Sequence, residues 1–211
     1  MPSALAAPVT IAPGVLLYAR GSSPPKNPEG DLSLPVIPSS AFGDGSHPTT
    51  RLCAQAVDLW CRTRSPRAVL DVGTGTGVLA RIARARGVPF VVGTDNDPVA
   101  LEAARANAAL DRSPGELVVV DRSPESWGPR FELIVANILE GVLLELGDAL
   151  AAALAPEGRL LISGFTRLQA PRLRAALGAR PLVFDLQVER EEWVLQRFSR
   201  PAPGASRGRR A

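Results

Sequence analysis

Three carboxylates, one run of glycines and one amide are the residues of this sequence best suited to chemistry. The glycines lie in Val69-Leu70-Asp71-Val72-Gly73-Thr74-Gly75-Thr76-Gly77. A short apolar stretch ends in an acid, three glycines alternate with small residues, and a helical pattern begins. That order predicts a strand running into a tight loop at a helix N-terminus. Glycines there permit positive φ and let a ligand lie directly on the backbone, and the N–H groups that open a helix can hold an anion. A dinucleotide fingerprint spaces its glycines as G-x-G-x-x-G. Gly73 and Gly75 fit, but the third position is Val78, and the third glycine arrives one place early as Gly77. Asp71, just before the loop, suits a cationic ligand better than a pyrophosphate. Asp95 ends the next apolar run, 18 residues after Gly77, where a carboxylate can accept hydrogen bonds from both hydroxyls of a ribose. Asp121 ends a third run, Val118-Val119-Val120, and Asn137 a fourth.

These groups need a scaffold, and the hydrophobic pattern supplies one. Pro48 suits the first position of a helix, expected from about Pro48 to Thr63, with Leu52, Ala56, Leu59 and Trp60 along one face and Ser65-Pro66 as its break. Strands and helices then alternate: a strand over Ala68 to Val72, a helix over Gly77 to Arg86, a strand over Phe90 to Thr94, and a helix over Pro98 to Leu110 capped by Asp97. A strand over Leu117 to Val120 leads into a loop from Asp121 to Pro129. Phe131 to Ala136 is the next strand, Leu139 to Leu154 a helix stopped by Pro156 and Gly158, Arg159 to Ser163 a strand and Gln169 to Leu177 a short helix. Continuous apolar strands between helices imply a parallel sheet covered on both faces. Leu182 to Val188 and Glu192 to Phe198, joined by a short charged turn, read as a closing antiparallel hairpin. The expected fold is therefore α/β and Rossmann-like, with a mostly parallel seven-stranded sheet. In such a sheet, ligands bind beyond the carboxyl ends of the strands, where the glycine loop lies.

Length and composition fit one domain: 211 residues, 45% hydrophobic and 21% charged. Residues 1–35 are expected to be a short extension with brief strands at Val15 to Tyr18 and Leu32 to Ile37 around a loop from Gly21 to Asp31. Residues 36–200 form the domain, and 201–211 a disordered basic tail. The net charge of +3 is modest and gives no argument for a nucleic-acid partner. No run approaches the ~20 apolar residues of a membrane span and no secretory signal is evident, so a cytoplasmic protein is expected. Cys53 and Cys61, eight positions apart on one helix, are separated by ~12 Å, too far for a disulfide. Two cysteines and a single histidine make no zinc site. That histidine, His47, is read as ordering the turn before Pro48, with proton removal from an ammonium as its alternative role. Trp193 is assigned to core packing of the final hairpin.

The pattern D-x-G-x-G-x-G resembles that of class I methyltransferases, which bind S-adenosylmethionine. Two further segments narrow the resemblance: Ala41-Phe42-Gly43-Asp44-Gly45-Ser46-His47-Pro48-Thr49-Thr50 and Val135-Ala136-Asn137-Ile138-Leu139-Glu140-Gly141. With Glu191-Glu192-Trp193 they are similar to the PrmA family of ribosomal protein methyltransferases, over about Leu34 to Phe198. The resemblance implies S-adenosylmethionine as cofactor, held by Phe42, Gly43, Thr49, Thr50, Asp71, Gly73, Gly75, Gly77, Asp95, Asp121 and Asn137. Asp71 would lie near the cationic methionine end, Asp121 near the adenine, and Phe42, Gly43, Thr49 and Thr50 in a loop closing over the cofactor. Asn137 would sit beside the transferred methyl group as the catalytic amide. The acceptor would be an amine of a protein, lysine above all, with ribosomal proteins among the candidates.

The sequence also departs from the family. Asp44 stands where a threonine is usual and adds a charge to the lid. Ile37-Pro38-Ser39 replaces an Asp-Pro-Gly run. About forty residues precede the lid, where family members carry a domain that holds the ribosomal substrate. A small metabolite or RNA as acceptor is the alternative expectation, and a non-catalytic cofactor-binding module another.

Overall fold

The computed structural model describes residues 7–25, 32–128 and 130–202. Residues 26–31 of the expected loop, Pro129, and residues 203–211 of the expected tail, with Arg207, Arg209 and Arg210, lie outside the described residues.

The chain opens with a small three-stranded sheet. β1 (Val9–Ala12) and β2 (Val15–Ala19) form an antiparallel hairpin turned by Gly14, and β3 (Leu32–Val36) pairs parallel to β2. The two brief strands expected here gain a third, which Pro8 and Pro13 hide in the sequence. Ile11, Val15, Leu17, Leu34 and Val36 are buried in one cluster with Leu52, Cys53 and Val57. The segment therefore covers the first helix with its own apolar side chains.

α1 (Pro48–Arg64) is capped by the His47 side chain, which accepts from the Thr49 N–H, and ends at Ser65 in the left-handed region before Pro66. β4 (Ala68–Val72), α2 (Val78–Ala85), β5 (Phe90–Thr94), α3 (Pro98–Ala108) and β6 (Glu116–Val120) follow. The expected loop after β6 contains one 3₁₀ turn, Pro124–Trp127, and β7 (Phe131–Asn137) comes next.

The helix expected over Leu139 to Leu154 is two: α4 (Glu140–Glu145) and α5 (Gly147–Ala153), breaking at Leu146. Gly147, a weak helix former, lies under the Arg180 guanidinium, which bonds Asp148. β8 (Leu154–Thr166) is longer than the expected strand. It takes in Pro156 to Gly158, because Glu157 adopts positive φ and its N–H donates to the Arg200 carbonyl. α6 (Ala170–Gly178), β9 (Val183–Arg190) and β10 (Trp193–Ser199) are the last elements among the described residues.

The large sheet has the order β6-β5-β4-β7-β8-β10-β9. β4 pairs parallel with β5 and β7, and β10 runs antiparallel to β8 and β9. The expected seven strands and closing hairpin are both present. All five residues of β4 are buried, as befits a central strand. Side chains alternate across it, Val69 into the cluster under α1 and α2, Leu70 and Val72 into the cluster under α4, α5 and α6. Burying such an aliphatic side chain stabilises the fold by ~2 kcal/mol. Because β5 and β7 lie on opposite sides of β4, the loops leaving β4 and β7 diverge and open a crevice at the strand ends.

Among the described residues no helix is long and apolar enough to cross a membrane. Cys53 and Cys61 are free and buried. Burial is the main cause that raises both thiols, Cys61 to about 12.

Candidate active site

The glycine loop is folded back on the end of β5. The N–H groups of Gly73 and Thr74 both donate to the Thr94 carbonyl, at 2.8 and 2.9 Å, and Gly75 N–H donates to Asp95 Oδ2 at 3.0 Å. Gly75 has φ of 54°, and a Cβ there would collide with the Phe42 carbonyl oxygen. Gly73, with φ of 70°, would drive a Cβ into Ile138. A side chain at Gly75 would displace the chain that forms the opposite wall.

That wall is the segment before α1, the expected lid. Thr76 ties it to the loop twice: its N–H donates to Phe42 O at 2.9 Å and its hydroxyl to Gly43 O at 2.8 Å. Gly45 lies against Ile11 and Leu17 of the N-terminal sheet. Asp44 accepts from the Ser46 N–H and hydroxyl, so the charge peculiar to this lid is used within its own turn.

The three strand-end acids stand in different surroundings. Asp71 is 1% exposed. Its Oδ2 accepts from the Thr74 hydroxyl at 2.7 Å and from Ala80 N–H at 3.2 Å, while Oδ1 is buried with no partner among the described residues. Burial pushes this carboxyl up to about 7; the Thr74 and Ala80 bonds oppose the rise and Asp95 adds to it. Asp95 is half-buried on the cleft wall, accepting from Gly75 N–H and Asp97 N–H. Asp121 is exposed at the rim, and Asp97 caps α3 by accepting from Val99 N–H.

At the other end, Asn137 closes β7, in register with Ser163 of β8. Its Oδ1 is buried and has no hydrogen-bond partner among the described residues. An idle amide acceptor costs free energy, and the residue that carries it lines the cleft. His47 lies between two rings, edge-on to Phe42 at 5.3 Å and to Trp193 at 4.6 Å. Trp193 packs on the core as expected but also lines the cleft.

The cleft holds about 820 Å³, within the range of nucleoside-sized ligand sites. Of the residues expected from the sequence, Phe42, Thr49, Gly73, Gly75, Asp95, Asp121 and Asn137 line it. Gly43, Thr50, Asp71 and Gly77 stand behind it. Gly43 is bonded to Thr76, Thr50 is buried on α1, Asp71 lies beneath the loop, and Gly77 caps α2 against Ala104. Sequence reasoning missed the apolar wall of Ile138, Leu139, Val142 and Leu146, and the Thr76 ties. The wall carries a readable signal, since positions 139, 142 and 146 share one helical face.

The family model described as ribosomal protein L11 methyltransferase (PrmA) matches residues 5–201. The ribosomal protein L11 methyltransferase of Chromohalobacter salexigens is 41% identical over 165 residues, 78% of this chain and 54% of that protein. Its counterpart in Myxococcus xanthus is 38% identical over 167 residues, 79% of this chain and 57% of that protein. The chain thus spans about half the length of these curated relatives. The crystal structure of ribosomal protein L11 methylase from Lactobacillus delbrueckii subsp. bulgaricus superposes with a TM-score of 0.80 at 29% identity, covering 92% of this chain and 98% of that one. A backbone-lined cleft at the β4 crossing, a lid strapped to the glycine loop and a match along nearly the whole described chain lead to one assignment: the chain belongs to the ribosomal protein L11 methyltransferase (PrmA) family.

Proposed function

We propose that the chain is an S-adenosylmethionine-dependent N-methyltransferase acting on protein amines, lysine above all, with ribosomal protein L11 as the substrate that its relatives' names suggest. The observation that carries this is Asn137, whose Oδ1 has no hydrogen-bond partner among the described residues and which lines a cleft together with the glycines of the loop.

The donor set fits the cofactor. Asp95 has lone pairs left for ribose hydroxyls after accepting one N–H on each oxygen. Gly73 and Gly75 line the cleft with backbone alone, and Val142 and Leu146 offer an apolar surface to a base. Asp71 reaches the ligand only through the loop it braces, so its part is to hold Thr74 and the start of α2. Bound S-adenosylmethionine supplies an electrophilic methyl carbon, so positioning is the main demand left to the protein.

Asn137 Oδ1 accepts an N–H of the incoming amine and turns its lone pair toward the methyl group. The proton released from the amine passes to water, and no strong base is required of the chain. Phe42, His47 and Trp193 form an aromatic wall along the cleft. The buried free thiols of Cys53 and Cys61 accord with a reducing, cytoplasmic setting.

The test is methylation of purified ribosomal protein L11 and of a cell extract with radiolabelled cofactor. The expected result is label on lysine in protein. Label confined to nucleic acid or to small molecules overturns the protein acceptor and leaves methyl transfer standing.

A further inference from the structure

Asn107 lies outside the cleft, near the C-terminus of α3, and is fully buried. Both ends of its amide are used. Nδ2–H donates to Thr76 O at 2.9 Å, and Oδ1 accepts from Ile37 N–H at 2.8 Å. The first partner is in the glycine loop; the second begins the segment that leads from β3 into the lid. Thr76 in turn holds the lid by its N–H to Phe42 O and its hydroxyl to Gly43 O. The lid rests on the N-terminal sheet through Gly45, Ile11 and Leu17. A closed circuit of contacts results: Ile37, Asn107, Thr76, Phe42 and Gly43, and back along the chain to Ile37.

We propose that Asn107 is a positioning residue for the cofactor cleft, fixing the glycine loop and the lid in one arrangement through a single amide. Only asparagine meets the requirement at this length. One end must donate to a carbonyl and the other accept from an N–H, both out of reach of water. Aspartate would set an acceptor against the Thr76 carbonyl. Alanine would leave a buried donor and a buried acceptor unpaired. Either change frees Thr76, whose N–H and hydroxyl are the lid's ties, so the effect falls on ligand binding although Asn107 touches no ligand.

The inference rests on the proposed function, and its test separates the two. Titration of wild-type protein with S-adenosylhomocysteine gives the reference; absence of binding there sinks the functional reading itself. Asn107→Asp and Asn107→Ala are expected to weaken binding at least ~10-fold at a temperature where each remains folded. Leu150→Ala, a core change on the far side of the sheet, is expected to lower Tm while leaving affinity within ~2-fold. Equal affinity in wild type and the Asn107 variants overturns the inference, as does an equal loss in Leu150→Ala. Hydrogen exchange on the wild type needs no variant to fold. S-adenosylhomocysteine should slow exchange of the Thr76 and Ile37 amides together; slowing at Thr76 with none at Ile37 also overturns it.

Discussion

Asn137 and Asp71 end adjacent strands of one sheet, yet their environments ask different things of them. Asn137 lines the cleft and keeps a buried acceptor idle, a cost that makes sense if side-chain movement on binding brings it an amine N–H. Asn137→Ala is therefore expected to retain cofactor affinity by calorimetry while turnover falls ~100-fold; unchanged turnover removes Asn137 from the mechanism. Asp71 is buried under the loop with its carboxyl raised to about 7. A carboxyl that holds its proton more tightly when folded adds stability below its unfolded pKa. That contribution is lost as pH rises through the folded value, and each tenfold gain in proton affinity on folding corresponds to ~1.4 kcal/mol. Tm of the wild type should thus fall more steeply between about pH 4 and about pH 7 than Tm of Asp71→Asn. Parallel pH profiles of Tm would contradict the burial that the geometry assigns to Asp71.

At the scale of elements, the lid is positioned from three directions: α1 begins in it, the glycine loop straps it, and the N-terminal sheet supports it. His47 serves the first of these as the cap of α1, with its ring held between Phe42 and Trp193. His47→Ala should cost ~1 kcal/mol of stability, and His47→Asn, which restores a capping oxygen, should recover part of it. The asparagine variant should also keep the pH dependence of turnover; disappearance of the acidic limb would assign proton removal to His47.

Elements that announce themselves by local chemistry were legible in the sequence. β4, β5 and β7 follow from short, largely apolar runs, and the starts of α1 and α3 from Pro48 and Pro98. What escaped depends on partners far along the chain. Thr76 sits at an unremarkable position of the glycine motif, and its carbonyl is met by a side chain 31 residues away. The break at Leu146 falls beside Gly147, over which the distant Arg180 lies, and β8 passes through Pro156 because Arg200 and Glu157 pair across the sheet.

For the molecule as a whole, the sheet order decides where function can reside. The divergence of β5 and β7 from β4 sets Asp95, the glycine loop and Asn137 around one cleft, although they are far apart in sequence. The strand-end acids and the amide were readable one by one. That Asp95 and Asn137 line the cleft while Asp71 lies beneath it was not, because the sequence carries no depth. Whether this cleft holds S-adenosylmethionine is read by isothermal titration of the folded protein. Saturable binding of one cofactor per chain is expected, abolished in Gly75→Val, whose side chain would meet the Phe42 carbonyl. A folded wild-type protein that gives no binding isotherm would contradict that expectation.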